Sequence, residues 1–192
     1  MFRNTQLTMR KVTFGGAPSL DGYFARKNDA VDWLMWSVEA AKMMSDFWKT
    51  IDTVVMGRKT YDVGRKMTKG KGDPYAGMQT YVFSRTLKAK KQGSLEIVST
   101  DPVKFVRKLK TQPGKDICVM GGGELANCLF QGGVIDEIGF AIHPVLLGSG
   151  IPLFHEMKRQ IDLELLECKP FRNGCVSVRY RVKKTARKRT KK

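Results

Sequence analysis

The sequence predicts an α/β fold, and three observations carry the prediction. Short apolar runs end in glycine and lead into segments with helical spacing: Thr53, Val54, Val55 and Met56 run into Gly57, and Ile117, Cys118, Val119 and Met120 run into Gly121, Gly122 and Gly123. Trp36, Ala40, Met43, Met44, Phe47 and Trp48 recur at the spacing of one helix face, with Glu39, Lys42, Asp46 and Lys49 on the other, which predicts a long amphipathic helix packed on a sheet by its aromatic and methionine side chains. The chain then closes on two strand-like segments, 161–167 and 175–182, joined by a hairpin loop at 169–174.

Length and composition set the frame for those elements. With 192 residues the chain is one sizeable domain, able to bury a core without disulfides or a structural metal. We take residues 1–182 as that domain and 183–192 as a basic tail, solvated because its like charges repel and nothing in it is apolar enough to bury. No stretch approaches the roughly 18 consecutive apolar residues that span a bilayer. The opening MFRNTQLTMRK lacks the apolar core of a signal peptide. Cys118, Cys128, Cys168 and Cys175 show no CxxC spacing and lie in apolar or strand-like runs. They read as reduced, mostly buried thiols of a cytoplasmic protein, with no zinc site and no disulfide frame.

Charge narrows the choice of partners. The net charge is +17, and the tail KKTARKRTKK carries seven basic residues and no acid, leaving +10 on the rest. A tail of that kind binds polyanions weakly and without sequence preference. The aromatic residues fall on core faces and no nucleic-acid motif is present, which argues against a dedicated nucleic-acid module. A second basic excess between Arg58 and Lys91 fits an anionic small ligand.

Along the chain, the first strand covers Leu7, Met9, Val12 and Phe14 and ends at Gly15, Gly16, Ala17 and Pro18. Asp21-Gly22 marks a turn. Two readings of Asp21 stand: an aspartate bonding its own backbone, and a carboxylate at the mouth of a pocket. Asp29, Asp32 and Trp33 make a polar and aromatic lead-in able to line a cleft. At Gly57 two cations, Arg58 and Lys59, sit where a helix begins. They disfavour the helix dipole and so suit an anion, or else stand as solvated charge. Thr80, Tyr81, Val82 and Phe83 form a strand ending in Ser84-Arg85, whose hydroxyl and guanidinium suit a phosphate monoester. Residues 95–98 form another strand, and Asp101-Pro102 caps a helix with Phe105, Val106 and Leu109 on its apolar stripe. In DICVMGGGELANCLF, residues 116–130, bare backbone at a helix start can approach a phosphate, or simply turn tightly. Ile138, Phe140 and Ile142 alternate as a half-buried strand does. His143 and His155 have no partnering motif.

Six segments in order, SLDGYFA (19–25), VVMGRKTYD (54–62), FSR (83–85), VMGGGELA (119–126), VIDEI (134–138) and HPVLLGSGIPLF (143–154), resemble the dihydrofolate reductase superfamily, in the branch related to the C-terminal reductase domain of bacterial riboflavin biosynthesis. The resemblance implies a three-layer α/β/α domain around a mixed, mostly parallel sheet with antiparallel C-terminal strands. It implies NADPH as cofactor and hydride transfer to a small heterocyclic substrate, pterin- or pyrimidine-like. By that analogy Ala17 lies against the nicotinamide. Gly57, Arg58, Lys59 and Thr60 hold the pyrophosphate and ribose. Ser84 and Arg85 take the adenosine 2′-phosphate. Gly121, Gly122, Gly123, Glu124 and Leu125 wrap the pyrophosphate from the other side. Asp21 and Asp32 face the substrate as the catalytic candidates, no metal is needed, and the last strands pair two copies as a homodimer. Met120 stands where the riboflavin-pathway reductases carry a glutamate, and their DDP segment is absent. The cofactor half therefore matches more fully than the substrate half.

Two other readings compete. Gly121, Gly123 and Ala126 fit the G-x-G-x-x-A of a dinucleotide-binding βαβ unit, but that fingerprint opens such a unit and needs an acidic residue about 20 positions on. A nucleotide-binding protein of this fold without reductase activity is the other.

Overall fold

The computed structural model describes residues 9–68, 75–88, 90–121 and 123–184. The predicted tail therefore lies outside the described residues, apart from Lys183 and Lys184. So do Leu7 of the predicted first strand, Gly122, and most of the loop after residue 68.

Nine strands form one sheet in the order β10-β11-β8-β1-β7-β3-β4-β6-β5. Its parallel part consists of β1 (Val12–Gly16), β3 (Ile51–Gly57), β4 (Gln79–Phe83), β6 (Leu95–Val98), β7 (Asp116–Met120) and β8 (Glu137–Ile142). β11 (Val176–Val182) runs antiparallel to β8, and β10 (Leu163–Pro170) antiparallel to β11. The short β5 (Lys91–Gln92) closes the other edge antiparallel to β6. A separate two-stranded piece pairs β2 (Tyr23–Ala25) with β9 (Ile151–Pro152). This is the mixed, mostly parallel sheet with antiparallel C-terminal strands that the sequence predicts; β2, β5 and β9 are additions to it.

The central strands are apolar runs because both of their faces are covered. Period-two alternation divides each between two cores. Val54, Met56 and Cys118 point to one face and meet Phe47 and Trp48 of α1 (Val38–Lys49) and Tyr61 of α2 (Arg58–Met67). Val55, Ile117 and Val119 point to the other and meet Val106 and Leu109 of α3 (Pro102–Lys110) and Leu125, Ala126 and Leu129 of α4 (Gly123–Gln131). Right-handed crossovers give this division, since β1→β3 and β3→β4 advance one way across the sheet while β6→β7 and β7→β8 return. Phe14, fully buried on β1, is the hub of the second core, with the rings of Phe24, Phe130, Phe140 and Phe154 at 5.7–6.1 Å.

Some expectations need correction. α1 packs on the sheet through Phe47 and Trp48 as its stripe predicts, but no residue of it is fully buried. Ser37 is its N-cap, which leaves Trp36 outside the helix and 71% exposed. Glu39, assigned by spacing to the outer face, is half-buried beside Arg172 at 3.8 Å. The thiols are not mostly buried: Cys118 and Cys175 are, whereas Cys128 on α4 and Cys168 on the edge strand β10 are exposed. Burial pushes the Cys118 thiol up to about 12, so it packs as an inert apolar group.

Candidate functional site

In an open parallel sheet, ligands settle outside the carboxyl ends of the strands, where side chains give way to turns and helix starts. Here β7, β3 and β4 are neighbours, and their ends bring Gly121, Gly57 and Ser84 to one rim. Gly57 is the N-cap of α2 with no side-chain capping bond, and the first turn of α2 has no acidic residue. Its leading N–H groups therefore lack the anionic partner that a helix start favours.

Two contacts tie the three ends together. Gly121 has φ +52°, and a β-carbon built on it would meet the Thr60 hydroxyl oxygen at 2.6 Å, so the β7–α4 turn is seated directly on the first turn of α2. On the other side Arg58 Nη1 donates to Thr86 Oγ1 at 2.7 Å and Nε to Asp62 at 3.3 Å. That guanidinium is thereby held between α2 and the turn after β4, still half exposed. Ser84 is buried, and its hydroxyl accepts from the N–H groups of Leu87 at 3.0 Å and Thr86 at 3.3 Å. Its first task is thus to shape the turn that lifts Arg85 into solvent. Lys59 is exposed beside them.

The glycine turn is less bare than its sequence suggests. Thr60 fills the space over Gly121, and the imidazole of His155 fills the space over buried Gly123, where a β-carbon would lie 2.5 Å from Nε2. Leu125 buries its side chain in the core and can offer only backbone, while Glu124 points its carboxylate to solvent from the first turn of α4.

The ends of β1 and β8 are built from loops. Ala17 is half-buried directly after β1, and the carbonyl of Pro18 accepts from the N–H of His143 at 2.9 Å. Asp21 accepts from Ser19 Oγ at 2.6 Å, from the N–H of Gly148 at 2.7 Å and from that of Leu147 at 3.1 Å. The Ser19 hydroxyl first, then the two backbone donors, hold its carboxyl below the usual range. Asp32 is likewise lowered by the Arg26 guanidinium, which grips it at 2.8 Å on an exposed surface. Both carboxylates are ionised and already engaged by the chain's own donors. No contact among the described residues joins either one to α2, the β4 turn or α4.

Trp33, between those loops, sets its ring edge-on to buried His143 at 5.4 Å. His143 Nδ1 lies 2.9 Å from the carbonyl of Ala141, which places the proton on that nitrogen. The indole N–H of Trp33 is buried without a partner among the described residues, the mark of a donor kept for a water or a ligand. Sequence reasoning missed Thr86 and His155. Thr86 was findable as the second hydroxyl of the Ser84-Arg85-Thr86 turn; His155 depends on a contact distant in sequence.

Comparison with known proteins agrees with this architecture. The family model described as the RibD C-terminal domain matches residues 10–177. Two proteins of Bacillus subtilis (strain 168) resemble the chain over most of its length: the uncharacterized protein YyaP, 33% identical over 91% of this chain and 96% of its own, and the uncharacterized protein YwjB, 36% identical over 84% and 92%. Among solved structures, a protein of Shewanella sp. PV-4 whose name places it in riboflavin biosynthesis superposes with TM-score 0.77 at 25% identity, covering 91% of this chain and 99% of that one. Dihydrofolate reductase from Enterococcus faecalis, solved with NADP(H), superposes with TM-score 0.65 at 15% identity over 91% and 97%. The Thermotoga maritima deaminase/5-amino-6-(5-phosphoribosylamino)uracil reductase gives 0.69 at 14%, the chain covering 57% of that longer protein. The fold is thus the reductase-type α/β fold, and the chain belongs to the RibD C-terminal domain family.

Proposed function

We propose that the chain is an NADPH-dependent reductase that transfers a hydride to a small, flat heterocycle of the pterin or pyrimidine class. The observation that carries this reading is the convergence of three strand ends on one rim, fastened by the Thr60–Gly121 seat and the Arg58–Thr86 bond. The residues present suit a dinucleotide with a third phosphate. Backbone at Gly57, Gly121 and Gly123, with Gly122 between them, the Thr60 hydroxyl and Lys59 would hold the pyrophosphate. Arg85, Arg58, Ser84 and Thr86 would take the 2′-phosphate, where planar guanidinium donors are well matched to phosphate oxygens. Ala17 has no bulk to block a flat ring at the end of β1. When bound, the cofactor supplies the hydride; the protein supplies its placement against the acceptor.

The substrate end would lie between Ala17, the Trp33 indole and the loop held by Asp21. Asp21 shapes that end through Leu147 and Gly148, and the free N–H of Trp33 is a donor to orient an acceptor atom of the substrate. Met120 at the end of β7 makes the riboflavin-pathway intermediate a poor fit, because the glutamate of those enzymes is missing. A nucleotide-binding protein without turnover is the second reading, favoured by the engagement of both Asp21 and Asp32. We further propose a cytoplasmic homodimer paired along β10, an eight-residue edge strand with Leu163 and Leu165 exposed.

The test is to follow NADPH oxidation by the full chain with dihydrofolate, pterins and pyrimidine carbonyl compounds in turn. Oxidation with one of them supports the reductase. NADPH binding with no oxidation by any of them supports the binding-only reading.

A further inference from the structure

We infer that His155 is a phosphate-contacting residue of the cleft, facing Thr60 across the glycine turn and gripping the pyrophosphate common to NADPH and NADH. The inference rests on the cofactor reading above. It starts from an exchange of volumes: the imidazole of His155 occupies the space that glycine leaves open at 123, with Nε2 only 2.5 Å from where a β-carbon would stand. Thr60 thus sets a hydroxyl over Gly121, and His155 an imidazole over Gly123.

The imidazole is held but unused. Phe154, just before it, is fixed among Phe14, Phe130 and Phe140 with centroids 6.0–6.1 Å apart. Just after it, the carbonyl of Glu156 accepts from Asn127 Nδ2 of α4 at 3.0 Å. Between these anchors the ring is exposed on its outer side, and neither nitrogen has a hydrogen-bond partner among the described residues. A positioned ring with no internal partner, beside the N–H groups that open α4, is arranged as a donor to an external oxygen anion.

The experiment uses the full chain and three probes: NADPH, NADH and adenosine 2′-monophosphate, which has no pyrophosphate. His155→Ala should weaken NADPH and NADH alike by about tenfold, leaving their ratio and the affinity for adenosine 2′-monophosphate unchanged. His155→Leu, which keeps bulk over Gly123 but has no donor, should lose as much. Unchanged dinucleotide affinity in His155→Ala overturns the inference, as does full affinity in His155→Leu, which would make the ring a packing group. A loss shared by adenosine 2′-monophosphate also overturns it, since the effect is then on the fold. A wild-type chain that binds none of the three probes refutes the cofactor reading itself.

Discussion

At β7 and β3 the rim is built from short-range structures, each a buried strand running through glycine into a helix, and at β4 from a strand running into a four-residue hydroxyl turn. At β1 and β8 the walls are loops fastened to one another across the chain. Asp21 and Gly148, 127 residues apart, share a hydrogen bond, and β2 pairs with β9. The first half takes its backbone from local strand, glycine and helix signals and is joined by the Thr60–Gly121 and Arg58–Thr86 contacts. The second is shaped by long-range bonds at the surface, where each is exposed to water and individually weak. On the proposed reading, the first half grips the nucleotide and the second receives the substrate.

The contrast breaks most visibly at the hub beneath the loops. Phe14→Ala should cost about 3–5 kcal/mol of stability in denaturant unfolding, as buried Phe truncations do. The loss should loosen the β2–β9 piece through Phe24 and Phe154 before it reaches the β3–α2 junction. Equal loss of hydrogen-exchange protection in both halves would remove the distinction.

A smaller effect should come from the junction itself. Gly121→Ala places a β-carbon on a positive φ and against Thr60, so strain of about 1–3 kcal/mol is expected together with at least tenfold weaker NADPH binding in a direct titration. Wild-type affinity in a folded Gly121→Ala chain would mean that the seat on Thr60 does not shape the cleft.

How much of this was legible in the sequence follows the same division. Gly57-Arg58-Lys59-Thr60 and Met120-Gly121 announce their junctions because period-two apolar runs meeting glycine have few other folds open to them. The cap at Asp101 and the closing hairpin were readable from their own local capping and turn residues. Trp36 was not, because the helical spacing extends back beyond the Ser37 cap at which the helix begins. Cys128 and Cys168 were misjudged because an apolar neighbourhood in sequence does not say which face a residue takes. For Asp21 the sequence offered a turn aspartate and a pocket carboxylate. The structure makes it a clasp between two loops, which no local pattern encodes.

The clasp yields the mildest prediction. The bonds to Asp21 lower its folded pKa beneath the ordinary 3.8. Its contribution to stability is therefore fully present above that value and is lost as pH falls through the lower, folded one. Wild type and Asp21→Asn should differ slightly in thermal midpoint at neutral pH and converge once the pH has fallen through the lowered folded pKa, with NADPH affinity at neutral pH the same in both. A large loss of NADPH binding in Asp21→Asn would tie the loop half to cofactor grip and undo the separation.

The most direct test of the central claim is a paired titration of the full chain and its Arg85→Ala variant with NADPH and NADH. The account predicts that wild type prefers NADPH and that Arg85→Ala removes most of that preference, about tenfold or 1.4 kcal/mol, by weakening NADPH while leaving NADH unchanged. Equal wild-type affinity for the two cofactors, or a preference that survives the substitution, would contradict the assignment of this rim to the 2′-phosphate.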